Sequence, residues 1–169
     1  MKQLFILLAV ILLAGTSCKK ENIYGVDCSE NKTKAIQAET DSIARYIDWR
    51  NSNGANINAT LHPNGFYYQI IKPGEGSGSP ETCSTINVDY KGRRFGGAAI
   101  ERTVFDEAEG SSMYLYQTIS GWQQALPLLV PGGKIEIFLP PSLGYGANGS
   151  GSIKANTYLF FEITLNSFS

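Results

Sequence analysis

The chain has 169 residues, of which 43% are hydrophobic and 17% charged, a composition typical of one globular domain with short extensions. Its 14 basic and 15 acidic residues nearly balance, which argues against a nucleic-acid partner because such a partner favours a basic surface. Removal of residues 1–17 takes away Lys2 and no acidic residue, so 13 basic and 15 acidic residues would remain.

Residues 1–17 have the pattern of a bacterial lipoprotein signal peptide. A basic start at Lys2 precedes an apolar run from Leu4 to Ala14, which is too short to span a membrane but fits the apolar region of a secretory signal. The small residues Gly15–Ser17 lead directly into Cys18 and resemble a lipobox. We expect Cys18 to become the lipid-modified N-terminus; the alternative is an ordinary signal peptide beside an unmodified cysteine.

Residues 18–30 are polar and are expected to form a lipidated tether between the membrane and the domain. Lys19 and Lys20 follow the cysteine where some bacteria place an inner-membrane retention aspartate. This favours a place in the bacterial cell envelope on the outer membrane, facing the periplasm. An oxidising envelope permits a disulfide between Cys28 and Cys83. Two free thiols are the alternative, which the sequence leaves open.

Residues 31–64 are expected to hold an N-terminal helix and a loop. Apolar residues recur at helical spacing between Asn31 and Arg50, and stop signals follow at residues 51–54. The helix would either pack on the edge of the main domain or serve as a docking or dimerising element.

The main domain is expected at residues 65–169, where short apolar runs are broken by glycine and proline. One short helix is predicted over Gly121–Leu129, although Pro127 removes a backbone donor within it. This pattern indicates an α+β fold with an antiparallel sheet. The predicted strands are Phe66–Ile71, Ile86–Tyr90, Met113–Ile119, Lys134–Leu139 and Thr157–Leu165.

Several classes of site are disfavoured by the residues present. The single histidine, His62, lies before the main domain, and no nucleophile-elbow motif accompanies it. Paired Cys or His residues at zinc-ligand spacing are absent from the sequence, and so is a phosphate-binding glycine loop ahead of a helix. The sequence therefore favours chemistry carried by the shape of an apolar surface, with no metal and no cofactor.

A set of aromatic and glycine motifs resembles the FKBP-type peptidyl-prolyl isomerases over about residues 65–165. The pieces ISGW and PPSLGYG are specific when they occur together, and the helix ahead of GFYYQI is similar to envelope members of that family. In chain order the motifs are Val88–Gly92, Phe105–Asp106, Ile119–Trp122, Gly132–Lys134, Leu139–Gly146 and Leu159–Ile163.

The resemblance implies a curved antiparallel β-sheet wrapped around one short α-helix, with an apolar pocket between them. Trp122 would be the pocket floor, Asp106 would lie at the rim, and Tyr145 would offer its hydroxyl to a substrate carbonyl. Asp106 has a structural alternative, a bond to a pocket tyrosine. The walls would be Tyr90, Phe105, Ile119 and Phe161, with Ile153 and Met113 at further substrate-binding positions.

The implied activity is cis–trans isomerisation of the bond before proline in polypeptides, assisting the folding of exported proteins. Rotation about a peptide bond faces a barrier of about 18–20 kcal/mol that comes from amide resonance. An apolar pocket disfavours the polar planar amide relative to the twisted one, and it needs no proton transfer or cofactor.

Departures from the family's pattern motivate an alternative function. Residues 107–108 are Glu-Ala where a serine pair is usual, Ile153 is followed by Lys-Ala in place of two prolines, and residues 146–152 are rich in Gly and Ser. These changes touch the pocket rim rather than its floor. The alternative is a non-catalytic binding or chaperone module on the cell envelope.

Overall fold

The computed structural model describes residues 25–96 and 99–169. Residues 1–24 lie outside that range, so the expected signal peptide, Cys18 and most of the tether do too. Within the described ranges no helix is long and apolar enough to cross a membrane. The elements are α1 (Gln37–Ser52), β1 (Thr60–Leu61), β2 (Tyr67–Lys72), β3 (Thr85–Gly96), β4 (Ala99–Tyr114), α2 (Ser120–Ala125), β5 (Lys134–Leu139) and β6 (Tyr158–Phe168).

The strands form one antiparallel sheet in the order β1-β2-β5-β6-β3-β4. This confirms the predicted α+β class with an antiparallel sheet and one short helix in the main domain. Strands β2, β5 and β6 match their predicted counterparts to within three residues.

The inner face of the sheet packs on α2. Alternate residues of a strand point to one face, which is why Ile137 and Leu139 of β5 lie with Phe161 and Ile163 of β6 in the core. A β-carbon on Gly121 would overlap the side chain of Leu139, so glycine lets α2 approach the sheet closely. The short helix is therefore held tightly over the middle of the sheet.

The outer face of the sheet carries α1. Ile43, Tyr46 and Ile47 of the helix are buried together with aromatic rings from three strands. These rings are Phe95, Phe138 and Phe160. The helix predicted ahead of the domain thus packs on the sheet.

The predicted start of this helix at Asn31 is wrong by six residues, because α1 begins at Gln37. The side chain of Asn31 accepts the Thr33 N–H at 3.0 Å, and the Thr33 carbonyl accepts a hydrogen bond from Gln124 at 2.8 Å. These side-chain bonds replace the helical ladder, so residues 31–36 remain outside the helix. The helix ends at Ser52, two residues beyond the predicted Arg50.

The predicted strand Met113–Ile119 is wrong beyond Tyr114. Residues Leu115–Gln117 form a 3₁₀ turn, in which the Thr118 hydroxyl donates to the Leu115 carbonyl at 2.7 Å. Leu115 is fully buried in this turn. The apolar residue that suggested a strand is therefore a core residue of the turn. The strand before it, β4, was not predicted, and β3 runs six residues beyond the predicted end at Tyr90.

The predicted helix Gly121–Leu129 divides into two parts. Helix α2 ends at Ala125, and Leu126–Leu128 continue as a 3₁₀ turn. Pro127 explains the change, because a proline ring cannot donate to an α-helical ladder.

The chain ahead of α1 is fixed to the main domain. The structure joins Cys28 to Cys83 in a disulfide, one of the two alternatives that the sequence left open. The Thr82 hydroxyl also donates to the carbonyl of Ser29 at 3.0 Å. The end of the expected tether, residues 28–30, is therefore part of the folded unit.

Candidate active site

The floor of the site is an interlocked set of three rings on the inner face of the sheet. Trp122 of α2 lies 5.0 Å from the ring of Tyr90 at an interplanar angle of 79°. Its ring lies 5.3 Å from that of Phe161 at 85°. Edge-to-face contacts of this kind are the arrangement that aromatic quadrupoles favour. The three side chains thus fix one another's orientation, and Trp122 retains only 4% exposure.

Phe105 extends this set toward the edge strand. Its ring meets that of Phe161 at 5.6 Å and 83°, and it is half-buried where Phe161 is almost fully buried. Phe105 therefore stands beside Phe161 as a partly exposed ring, at a position that the resemblance assigned to the pocket wall.

Gly92 makes room for both phenylalanine rings. A β-carbon there would lie 2.7 Å from Cε1 of Phe161 and 2.8 Å from Cζ of Phe105, so any side chain would displace them. The sequence analysis included Gly92 in a motif but gave it no role. Gly92 lies two residues after Tyr90 and therefore on the same face of β3, which could have indicated that it faces the site.

A hydrogen bond closes the rim of the site. The Tyr90 hydroxyl donates to Oδ2 of Asp106 at 3.0 Å. Burial, together with this bond and the carboxylate charge, raises the pKa of Tyr90 to about 12. This contact is the structural alternative that we considered for Asp106, and it leaves an exposed carboxylate at the pocket edge.

Tyr145 lies in the same electrostatic environment. Burial, followed by the negative charge of Asp106, raises the pKa of this half-buried phenol. Both effects disfavour the phenolate. Tyr145 is therefore held in the protonated form, which can donate a hydrogen bond to a carbonyl.

The remaining predicted site residues pack on the same apolar cluster. Ile119 is half-buried, and its carbonyl accepts the Trp122 N–H at 3.0 Å, so it sets the start of α2. Ile153 is 7% exposed and belongs to the buried cluster, whereas Met113 packs against it from the side. The structure thus places eight of the nine predicted side chains in or against this cluster, with Asp106 joined through Tyr90. Met113 is the outlier, because it pairs with Ile86 at a position of β4 eight residues beyond Phe105.

Among the buried side-chain nitrogen and oxygen atoms that the structure describes, the indole N–H of Trp122 stands apart. It is buried, and it has no hydrogen-bond partner among the described residues. Buried donors are nearly always paired, and exceptions are typical of strained or functional positions.

Sequence analysis missed two glutamines that follow Trp122 in α2. Gln123 donates from Nε2 to the carbonyls of Thr118 and Tyr116, at 2.7 and 3.1 Å. Gln124 is only 6% exposed and bonds to the chain ahead of α1. Two consecutive side-chain amides in so short a helix indicate that at least one of them is buried and needs hydrogen-bond partners. The partners in the chain ahead of α1 are distant in sequence, so they could not be identified.

A groove of about 620 Å³ lies on the opposite, outer face of the sheet. Several of its charges form ion pairs: Lys91 lies 2.9 Å from Glu107, and Glu162 contacts both Arg93 and Lys134. Ion pairs on the surface are typical of a solvated face, so we place the candidate site at the aromatic rings around Trp122 instead.

Comparisons with known proteins identify the family of the chain. The model of a family described as FKBP-type peptidyl-prolyl cis-trans isomerase matches residues 76–166. The chain is 31% identical over 134 residues to the FKBP-type peptidyl-prolyl cis-trans isomerase FkpA of Aeromonas hydrophila, covering 79% of this chain and 49% of that protein. It is 34% identical over 119 residues to the outer membrane protein MIP of Legionella longbeachae, covering 68% and 48%.

The crystal structure of FkpA from Escherichia coli is similar with a TM-score of 0.63 at 28% identity, over 78% of this chain and 61% of that one. The chain spans about half the length of the curated relatives it matches.

Proposed function

The chain belongs to the FKBP-type peptidyl-prolyl cis-trans isomerase family, and on that premise we propose that it catalyses cis–trans isomerisation of the peptide bond before proline in polypeptides. The single observation that carries the proposal is the edge-to-face set of Tyr90, Trp122 and Phe161, capped by the Tyr90–Asp106 hydrogen bond.

The chemistry of this arrangement suits rotation about an amide. The planar amide owes its barrier of about 18–20 kcal/mol to resonance, which also separates charge between nitrogen and oxygen. Aromatic walls solvate that charge poorly, so they favour the twisted state relative to the planar one. A proline ring seated against Trp122 would orient the bond, and orientation lowers the entropic part of the barrier.

Polar groups at the rim would hold the chain on either side of the proline. The Tyr145 phenol is protonated throughout the physiological pH range, as an ordinary tyrosine is, so its hydroxyl can donate to a substrate carbonyl. Asp106 holds the Tyr90 phenol at 3.0 Å and thereby fixes the ring that forms one wall. No step in this scheme moves a proton between enzyme and substrate.

The place of action that we propose is the bacterial cell envelope. Cys18 would carry the lipid that anchors the chain to the outer membrane on its periplasmic side, and exported proteins would be the substrates. Three observations support this: the lipobox-like residues 15–18, the Cys28–Cys83 disulfide, which suits an oxidising compartment, and the relative named as an outer membrane protein.

A second candidate is a non-catalytic binding or chaperone module on the envelope. The observation that favours it is the closure of the floor, since Trp122, Phe161 and Ile153 retain 4%, 3% and 7% exposure. In this alternative, unfolded chains would bind to the half-buried walls without entering the pocket.

Isomerisation of a short Xaa-Pro peptide by the full chain, measured without a coupled protease, separates the two candidates. We expect acceleration by the parent that falls by about tenfold or more in Asp106→Ala and Tyr90→Ala, because loss of a positioned group costs at least this much. Lys91→Ala, which changes the next residue of β3 on the outer face, is the matched control. Binding of unfolded chains that survives Trp122→Ala, with the peptide isomerising at its uncatalysed rate, would establish the binding module instead.

A further inference from the structure

The segment Cys28–Thr33, which we call the strap, lies across helix α2. The Cys28–Cys83 disulfide and the bond from the Thr82 hydroxyl to Ser29 fix its beginning. Its end is fixed where Nε2 of Gln124 donates to the carbonyl of Thr33 at 2.8 Å. The strap is therefore attached at its beginning to residues 82–83, just ahead of β3, and at its end to α2.

Asn31 lies at the centre of the strap, and its amide is fully used. Its Nδ2 donates to Oε1 of Gln123 at 2.8 Å and approaches Ser120 Oγ at 3.4 Å. Its Oδ1 accepts from the Thr33 N–H at 3.0 Å and from Gln124 Nε2 at 3.3 Å. One end of this side chain thus donates to α2, and the other end accepts from α2 and from the strap itself.

Gln123 connects Asn31 to the turn ahead of the pocket. Its Nε2 donates to the carbonyls of Thr118 and Tyr116 while its Oε1 accepts from Asn31. An amide rotated by 180° would set its NH₂ group against the NH₂ of Asn31, so Asn31 selects the orientation that binds the turn. The turn ends at Ile119, and Trp122 directly precedes Gln123 in the helix.

Gln124 completes the attachment. Its Oε1 accepts from Nδ2 of Asn64 at 3.0 Å, and its Nε2 donates to the strap. A side-chain amide with 6% exposure needs such partners, because an unpaired buried polar group is costly. Gln123 therefore has a partner for its Oε1 in Asn31, and Gln124 has partners for its Nε2 in Asn31 and Thr33.

We propose that Asn31 is a positioning residue for the isomerase site: by orienting Gln123, it fixes the 116–119 turn and the ring of Trp122 in the geometry that receives a prolyl substrate. This rests on the proposed function, although the positioning itself can be observed without catalysis. The hydrogen bonds of Asn31 go to the strap and to Ser120, Gln123 and Gln124 of α2, so it acts through Gln123 and not on the substrate.

Three variants of the full chain test the proposal. Asn31→Ala removes the amide. Asn31→Asp keeps its size and its acceptor but sets a carboxylate oxygen against Oε1 of Gln123. Asn51→Ala is the matched control, because Asn51 also makes two hydrogen bonds across a loop, to the N–H and carbonyl of Ile57 at 2.8 and 2.9 Å, at the far end of α1.

Two quantities are measured under conditions where each variant is fully folded: kcat/KM for a short Xaa-Pro peptide, and hydrogen exchange at the amides of Thr118 and Trp122. We expect both Asn31 variants to lose about tenfold in kcat/KM, the size typical of a displaced but intact site. Exchange at the two amides should rise by a similar factor, and Asn51→Ala should resemble the parent in both.

Parental values of both quantities in Asn31→Asp would overturn the proposal, since a residue that only fills space would tolerate its isostere. A loss of kcat/KM with unchanged exchange, or an equal loss in Asn51→Ala, would overturn it too. If the parent itself does not accelerate isomerisation, the proposed function fails, and the exchange comparison alone then decides whether Asn31 positions the turn and the helix.

Discussion

The hydroxyl of Tyr90 on β3 donates to the carboxylate of Asp106 on β4 across 3.0 Å, and this bond joins a central strand to the edge strand at the pocket rim. The same phenol ring packs edge-to-face on Trp122. One side chain therefore links the charged rim of the site to its apolar floor.

The titration of Tyr90 should report this bond. Burial, and to a smaller extent Asp106, raises the pKa of Tyr90 to about 12. Tyr90 should therefore ionise at a higher pH than tyrosines whose pKa is not shifted. Asp106→Asn removes the charge but not the burial, so the pKa should fall and still remain above its usual range. Ultraviolet difference titration of the parent against this variant measures the shift. Identical titration curves would show that the carboxylate does not act on the phenol.

Gly92→Ala should damage the site more than the fold. The new methyl group would meet the rings of Phe105 and Phe161, which must then move out of their edge-to-face contact. Overpacking of this kind costs about 1–3 kcal/mol, and displaced walls should lower kcat/KM by about tenfold or more. Denaturant unfolding and the peptide assay measure the two effects. Lys91→Ala, on the other face of the same strand, controls for changes in β3, and full activity in Gly92→Ala would contradict this account of the walls.

His62, the chain's only histidine, should make stability depend on pH below its ordinary pKa of 6.5. Burial against Phe66, at a ring distance of 4.3 Å, lowers its pKa from 6.5 and outweighs the opposing charge of Glu30. Because the unfolded state binds the proton first, this contribution to stability is present above pH 6.5 and falls as the pH drops through that value.

His62→Gln should remove this dependence. Free energies of unfolding at about pH 7.5 and 5.5, on either side of the histidine's ordinary value, give the comparison. An equal loss of stability in the parent and the variant over this range would assign the dependence to other groups.

Removal of the Cys28–Cys83 disulfide should destabilise the fold. The two cysteines are 55 residues apart in sequence, and a cross-link of this kind typically contributes about 2–4 kcal/mol by restricting the unfolded chain. Denaturant unfolding of the Cys28→Ser/Cys83→Ser variant measures the loss. The reduced parent is the matched control and should behave like the variant. Equal stability of the oxidised parent and the double variant would contradict this expectation.

Ile43→Ala should separate stability from the site. Ile43 of α1 is fully buried on the outer face of the sheet, away from Trp122, and truncation of such a residue costs about 2–5 kcal/mol. Activity per folded molecule should stay at the parental level, since α2 and its rings keep their contacts. Thermal unfolding and the peptide assay test both parts, and a loss of activity in fully folded protein would show that α1 supports the pocket through the sheet.

The resemblance to the isomerase family implied the aromatic floor, and local patterns predicted three of the six strands closely. Trp122 and Phe161 stand in motifs whose spacing is informative, and β5 alternates as a half-buried strand should. Strand β4 escaped detection because it is an edge strand with exposed polar residues such as Glu107 and Glu109, so no alternation marks it.

The strap could not be predicted for a different reason. Asn31 and Gln123 are 92 residues apart, and their hydrogen bond depends on how the two segments meet in the fold. The sequence analysis placed Asn31 at the start of the predicted helix, where a polar residue is ordinary, so composition also gave no indication. The start of α1 was misplaced for the same reason, since Gln124 holds Thr33 in a non-helical conformation.

Exchange NMR of a short Xaa-Pro peptide tests the central claim most directly, because it observes interconversion of the cis and trans forms at equilibrium with no second enzyme. We predict that catalytic amounts of the parent shorten the exchange time from its uncatalysed tens to hundreds of seconds, and that Trp122→Ala, if still folded, largely abolishes this effect. Exchange at the uncatalysed rate in the presence of folded parent, or undiminished catalysis by Trp122→Ala, would contradict the assignment of an isomerase site to the aromatic pocket.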